Sequence, residues 1–279
     1  MPVSLEDELG DVLEKARDGK GWSQSDLARA SGVSANDISQ IERYEHVPDD
    51  DILKHLAEVL DLHVASFLAV AKGAWLPKPI EPEPSPYKIV CLELFVGTYP
   101  VKCYFVICKA TNACAVIDTG GNPEVIIEKA KELNIRPEKI LLTHAHHDHA
   151  GGLELLDKIY SCPTWIDEKE PRPSGSRDLR FLKDGEIIKL GGLSIEVFFT
   201  PGHTAGGVSY KINDAVFSGD TLFAGSMGRA NSSWSDLYNS ITQKLLTLPD
   251  ATRLFPGHGP ATTVGEEKRN NPFFCATPQ

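Results

Sequence analysis

The stretch Thr143-His144-Ala145-His146-His147-Asp148-His149 decides the fold of this chain, and it follows directly on the apolar run Ile140-Leu141-Leu142. His144, His146, Asp148 and His149 crowd four ligand-type side chains into six residues at the end of a strand-like segment. Side chains two apart on extended backbone point the same way, so His144 and His146 are expected to share one target. A turn into a following helix would swing Asp148 and His149 toward a second point close by. Imidazole together with carboxylate suits zinc, iron or manganese.

Three further ligand types follow other strand-like runs. They are His203 in Thr200-Pro201-Gly202-His203-Thr204, Asp220 in Phe217-Ser218-Gly219-Asp220-Thr221, and His258 in Phe255-Pro256-Gly257-His258-Gly259. Each has a glycine beside it, which lets backbone approach closely. Beyond residue 88 the chain has six histidines; five lie in these motifs and the sixth, His147, lies inside the cluster. Histidines serving only packing or solvation would be scattered.

Around the motifs, strand-like runs are expected at Ile89–Val96, Val101–Cys108, Ala113–Asp118, Lys139–Thr143, Leu193–Thr200, Gly207–Ile212 and Ala215–Gly219. Helical patterns fall between them at Pro123–Leu133 and Gly151–Ile159, so residues 88–279 read as a mixed α/β domain. Residues 1–72 read as all helical, with apolar residues at helical spacing (Leu9, Val12, Leu13, Ala16; Leu27, Ala28; Ile38, Ile41; Ile52, Leu53, Leu56, Leu60) and with Ser23 and Ser34 as expected N-caps. Residues 73–87 carry prolines at 77, 79, 82, 84 and 86, which favours an extended strut that spaces the two domains, with Trp75 and Leu76 free to dock on one of them. The fold class expected is thus a two-domain α+β chain.

The composition, 41% hydrophobic and 24% charged, is that of a globular protein with a sizeable core. No apolar run reaches the roughly 18 residues of a membrane span, and Met1–Glu8 is acidic, unlike a secretory leader. A cytoplasmic protein without membrane association is the expectation. Of six cysteines none forms a C-x-x-C pair, which fits a reduced state with Cys103 and Cys108 as packing residues. The net charge of −11 is uneven: residues 1–72 hold 15 acidic and 7 basic side chains, residues 73–279 hold 24 and 21.

With these motifs in view, residues 88–279 resemble the metallo-β-lactamase superfamily and, more narrowly, the short glyoxalase II-like hydrolases. The resemblance includes Val116-Ile117-Asp118-Thr119-Gly120, the histidine cluster, Pro201-Gly202-His203-Thr204 and Ser218-Gly219-Asp220-Thr221-Leu222-Phe223. It continues through Ala224–Arg229, Pro256-Gly257-His258-Gly259, Thr262–Glu267 and Asn271-Pro272-Phe273. It implies an αββα sandwich holding two divalent metal ions, zinc first, with iron or manganese as alternatives. It places His144, His146 and His203 on one ion, Asp148, His149 and His258 on the other, and Asp220 bridging both. Two such ions would share a water and make hydroxide available for attack on a thioester such as a hydroxyacylglutathione, with Asp148 and Asp220 as the catalytic carboxylates. Asp118 would brace a histidine or a turn.

Asp220 argues against a β-lactamase of the commonest type, which would have Cys there, and His146 argues against the flavodiiron oxygen reductases. Iron-dependent persulfide dioxygenases share most of the motifs and are the alternative, followed by lactonases. Full-length glyoxalase II enzymes carry a helical C-terminal extension that helps grip glutathione, whereas only 21 residues follow His258. Arg229 stands where the family has a basic residue for the glutathione carboxylate; the other reading is a solvated surface arginine. Trp234 would either shape the pocket or simply pack.

Residues 9–68 resemble the helix-turn-helix domain of Cro-type repressors, through Trp22–Ala28, Ser31-Gly32-Val33-Ser34, Ile38–Arg43 and Leu56–Leu62. The resemblance makes Ser34–Arg43 the recognition helix, with Ala35, Asn36 and Gln40 toward base edges, Gln24 on a phosphate and Arg43 as a further DNA contact. Charge argues the other way, because Asp37, Glu42, Glu45, Asp49, Asp50 and Asp51 face only Arg43, Lys54 and His46 where phosphates would lie. Two readings stay open: a DNA-binding module, which would make the chain a regulator sensing a metabolite, or a module for docking or homodimer assembly.

Overall fold

The computed structural model describes residues 4–80 and 84–275. Five helices come first: α1 (Leu9–Gly19), α2 (Gln24–Ser31), α3 (Ala35–Glu42), α4 (Asp50–Val59) and α5 (Val64–Ala71). The two expected serine caps are in place, since the Ser23 and Ser34 side chains accept from the backbone N–H groups of Asp26 and Asp37. Each satisfies an amide that the helix start leaves unpaired, worth about 1 kcal/mol. The apolar stripes of the five helices close on one core that includes Val12, Leu13, Leu27, Ile38, Leu53, Leu56 and Phe67.

The remainder is a sandwich of two six-stranded sheets. The first runs in spatial order β1 (Tyr87–Val96), β2 (Tyr99–Cys108), β3 (Cys114–Ile117), β4 (Pro137–Leu141), β5 (Thr164–Ile166) and β6 (Leu179–Phe181). Helices α6 (Pro123–Glu132), α7 (His147–Ala150) and α8 (Leu153–Tyr160) belong to its connections. The second sheet contains β7 (Ile187–Leu190), β8 (Leu193–Phe199), β9 (Val208–Ile212) and β10 (Ala215–Gly219). A hairpin of β11 (Leu222–Phe223) and β12 (Ser226–Met227) leads into α9 (Trp234–Ser240) and a π-helical turn over Ile241–Leu245. Then β13 (Arg253–Pro256) and β14 (Thr262–Thr263) complete the second sheet before α10 (Val264–Asn270).

Side-chain alternation builds the layers. Along β2, Val101, Cys103, Phe105 and Ile107 join Ile126 of α6 and Leu156 of α8 in one core. Tyr104, Val106 and Cys108 face the other way, onto Ile195, Val197, Tyr210 and Phe217 of the second sheet. The outer side of that sheet packs through Val216 and Leu254 against Leu237 of α9 and Val264 of α10. The order is helix, sheet, sheet, helix. The expected strands and the two expected helices of this half are present within a few residues. The strands β5, β6, β7, β13 and β14, which sequence patterning did not supply, have four residues or fewer, too few for alternation to register.

One expectation is overturned. The proline-rich stretch does not space the two domains; Pro82 lies outside the described residues, and the segments on either side fold back. The Lys15 ammonium donates to the Met227 carbonyl at 2.7 Å and the His63 N–H to the Pro272 carbonyl at 2.8 Å. Gly19 lies so close to Trp234 that a Cβ would sit 2.4 Å from its ring, and Gly225 packs on Trp75 and Leu5. Phe273 touches both the helical core and the α9 core. Prolines stiffen a linker without fixing where its ends go, and burial of Leu5, Trp75, Trp234 and Phe273 outweighs an extended arrangement. Trp234 is accordingly a packing residue. All six cysteines are free, with Cys103 and Cys108 buried. Among the described residues no helix is long and apolar enough to cross a membrane.

Candidate metal centre

Strand β4 delivers the chain to Thr143, and β10 delivers it to Asp220 from the facing sheet. His146 caps the start of α7, so the turn places His144 and His146 before the helix and Asp148 and His149 within it. The loops after β8 and β13 bring in His203 and His258. Seven side chains from four segments therefore meet at one edge of the sandwich, grouped as His144–His146–His203, His144–His149–Asp220 and Asp148–His149–His258. His147, the remaining histidine of the cluster, is exposed and takes no part.

The spacing is that of ligand atoms around a common point. His146 Nδ1 lies 3.0 Å from both His144 Nε2 and His203 Nε2. On the other side His149 Nε2 and His258 Nε2 are 3.4 Å apart, and Asp148 Oδ2 is 3.3 Å from His258 Nε2. Asp220 stands between the groups, with Oδ1 3.2 Å from His149 Nε2 and Oδ2 3.6 Å from both His203 Nε2 and His258 Nε2. Metal–nitrogen bonds of about 2.0–2.1 Å in a tetrahedral cage put neighbouring ligand atoms roughly 3.3 Å apart.

The outer face of each ring explains which nitrogen turns inward. His149 donates from Nδ1 to Asp118 Oδ2, His203 from Nδ1 to the Arg229 carbonyl, and His258 from Nδ1 to the Pro100 carbonyl, all at 2.7–2.8 Å. His144 Nδ1 donates to the Thr143 hydroxyl at 3.1 Å, which in turn donates to Asp118 Oδ2 at 2.8 Å. An Nδ1 proton held by an outer acceptor turns the Nε2 side of each of these four rings toward the centre. Asp118 thus braces His149 directly and His144 through Thr143, the bracing role its place at a strand end suggested.

The electrostatics of the cluster set burial against the two buried carboxylates. Burial pushes His144 well below the usual imidazole range and lowers His203, which keeps both in the neutral form that binds metal. Burial works against the cation at His149 too, yet Asp220 and Asp118 outweigh it and hold that group well above the usual range. Burial would raise Asp220, but His149 and His258 overcome it and hold the carboxyl well below its ordinary value. Asp220 Oδ1 is buried without a hydrogen-bond partner. Gly257 has the close approach its place beside His258 suggested: a Cβ there would lie 2.4 Å from Asp220 Oδ1 and 2.5 Å from His149. These donors fit divalent ions.

Glu170 is a candidate site residue that sequence reading missed. Its buried carboxylate accepts the Ala145 N–H at 2.8 Å and the Gly206 N–H at 2.9 Å, so it ties the histidine cluster to the His203 loop. It sits in a surface-like Asp167-Glu168-Lys169-Glu170 run that carries no motif.

The other expected site residues lie elsewhere. Arg229 borders the centre through its carbonyl, but its guanidinium donates to Glu14 of α1 at 2.8 Å rather than standing free for a substrate. On the helical module Asn36 and Arg43 are exposed and Ala35, Gln40 and Gln24 half-buried. The Gln24 amide donates to Glu42 at 2.7 Å and Arg43 to Glu45 at 3.1 Å, so the side chain expected on a phosphate and the further DNA contact are both engaged by carboxylates.

The comparisons with known proteins agree with this geometry. Residues 96–258 match the family model described as the metallo-beta-lactamase superfamily, and residues 13–67 match a helix-turn-helix model. A probable metallo-hydrolase of Bacillus subtilis, YqgX, is 37% identical over 202 residues, covering 64% of this chain and 94% of its own length. The hydroxyacylglutathione hydrolase GloC of Haemophilus influenzae is 36% identical over 183 residues, covering 57% of this chain and 86% of its own. The crystal structure of TTHA1623 in a di-iron-bound form superposes with a TM-score of 0.57 at 32% identity, over 65% of this chain and 99% of that one. The chain belongs to the metallo-β-lactamase superfamily and carries a helix-turn-helix domain at its N-terminal end.

Proposed function

We propose that this protein is a metal-dependent hydrolase of thioesters. In this reading His144, His146 and His203 hold one divalent ion, Asp148, His149 and His258 a second, and Asp220 reaches both. The observation that carries it is the convergence of histidine nitrogens on the unpartnered oxygen of Asp220. When bound, two such ions supply Lewis acidity and make hydroxide accessible near neutral pH. The chain's own residues do the rest. Asp118 and Glu170 fix the ligand loops, so the site is preorganised. Asp148, half-exposed at the open side, is placed to orient a water through its carboxylate. A thiolate leaves without needing a dedicated acid. The division into a helical module (1–72), a linker (73–87) and a hydrolase domain (88–279) belongs to the same proposal.

Zinc is the first metal to test, with iron and manganese next, since the donor set accepts all three. The likeness to GloC puts a hydroxyacylglutathione in the substrate panel, beside thioesters of neutral and cationic thiols. The test is release of free thiol from a panel of thioesters by protein loaded with each metal in turn. Thiol release that needs metal supports the proposal. Oxygen uptake with glutathione persulfide, without thioester cleavage, would replace it with dioxygenase chemistry.

A further inference from the structure

We infer that the helical module forms a wall of the active-site mouth and that its carboxylates select the substrate by charge. The selected leaving group is neutral or cationic at its far end; an acidic thiol such as glutathione is disfavoured. For the chemistry at the ions, this rests on the hydrolase reading above.

Three contacts carry it. First, Arg229 reaches the centre from behind, because its carbonyl accepts from His203 Nδ1, while its guanidinium is taken by Glu14 of α1 at 2.8 Å. Second, Lys15 lies 5.2 Å over the ring of Phe223, whose edge packs 5.9 Å from the His258 ring. Its ammonium is buried between Asp7 and the Met227 carbonyl. Two cations bordering the candidate centre are therefore neutralised by carboxylates of the helical module. Third, the segment before α1 runs along the His258 loop. Gly259, at φ +68°, packs so tightly on Glu6 that a Cβ would lie 2.9 Å from Glu6 Cβ and 3.0 Å from its backbone nitrogen. Glu6 and Gly259 line a cavity of about 780 Å³ together with Pro100, the residue whose carbonyl holds His258; the cavity flanks the His258 loop, and the seven candidate ligand side chains lie outside its lining. Lys102 on the same lining pairs with Glu93, and Lys78 of the linker is the remaining cation there.

An incoming acidic thiol thus meets Glu6 and finds Arg229 and Lys15 already occupied. A single fixed charge near a partly solvated site changes affinity about threefold to tenfold, less at high salt.

The experiment uses full-length protein loaded with cobalt(II), whose thiolate absorption reports binding without turnover. Mercaptoacetate is titrated against cysteamine. Wild type is expected to bind cysteamine the more tightly. E6Q should shift the ratio toward mercaptoacetate by about threefold, and E14Q by more, because it also frees Arg229. The E14Q gain should vanish in the E14Q/R229A double variant and shrink in about 0.5 M salt. An unchanged ratio in E6Q and E14Q, each with wild-type thermal unfolding, overturns the inference. So does a wild-type preference for mercaptoacetate that disappears on Lys78→Ala, or binding of neither thiol. Failure to take up cobalt removes the metal reading and this inference with it. A ratio that shifts as expected in a protein cleaving no thioester leaves the charged wall standing and removes the thioester reading.

Discussion

The ligand loops and the face of the helical module that covers them treat buried polarity in opposite ways. At the loops, nitrogens of His144, His146, His149, His203 and His258 point at one another and a buried oxygen of Asp220 has no partner. At the module face, the buried Lys15 is satisfied by Asp7 and the Met227 carbonyl, and Arg17 by Glu42 and the Trp22 carbonyl. Unsatisfied polar groups in a folded interior are costly and mark a place where something else belongs. Satisfied ones mark a permanent contact. The difference teaches that the first region has the donor chemistry of a metal site and the second that of a fixed joint.

The most severe way to break this contrast is Asp220→Ala. Losing the carboxylate shared by both histidine groups should cost thioester cleavage well beyond the roughly 10–100-fold typical of an outer partner. Steady-state rates on metal-loaded protein measure it, and residual activity above a tenth of wild type would contradict the shared role. Asp118→Asn sharpens the same side. It should reduce metal affinity about 10–100-fold, because His149 and the Thr143–His144 relay lose their common acceptor.

On the joint, Lys15→Met leaves Asp7 buried and unpaired, and should destabilise the fold by about 3–5 kcal/mol in chemical denaturation. Pairing it with Asp7→Asn should restore most of that loss; an additive result would mean the two do not depend on each other. DNA binding asks whether the joint leaves the recognition helix a role of its own. With Gln24 and Arg43 engaged by Glu42 and Glu45, no retention on duplex DNA is expected at about 50 mM salt. Retention that falls steeply with added salt would restore the regulator reading.

The smallest expected effect concerns Glu267, buried under the hairpin that meets Trp75. It accepts from Gly225 N–H, Thr262 Oγ1 and Asn271 Nδ2. Burial pushes its carboxyl up to about 7, against 4.5 ordinarily, despite these donors. At this group the folded state then binds more protons than the unfolded one between those values, so its contribution to stability is fully present below 4.5 and is lost as pH rises through 7. Glu267→Gln should flatten that decline, by at most about 3 kcal/mol. Unfolding midpoints across this range measure it, and an unchanged slope would show that the donors keep the carboxylate ionised.

The two regions also differ in how much of them the sequence discloses. The ligands were legible because metal chemistry demands particular residue types, placed at strand ends in short motifs. Periodicity alone disclosed a mixed α/β half and an all-helical half; the αββα layering and the helix-turn-helix came from the motifs that carry the two family resemblances. The joint was not legible. Lys15 and Glu14 look like ordinary residues of a solvated acidic helix, and only their partners, more than 200 residues away, give them meaning; Asp7 gains its role through Lys15. Glu170 was hidden for the same reason, since bracing of two backbone amides needs only a carboxylate at the right point in space. The proline-rich linker misled because local stiffness says nothing about where its ends dock.

The central claim, that the two histidine groups and Asp220 form one two-ion centre, is tested most directly by counting metal ions per chain. Purified full-length protein, stripped and reloaded with zinc, would be assayed by elemental analysis beside Asp220→Ala. The expected result is close to two ions in the wild type and a loss of bound metal in the variant. Fewer than one ion in the wild type, or full occupancy in Asp220→Ala, would contradict it.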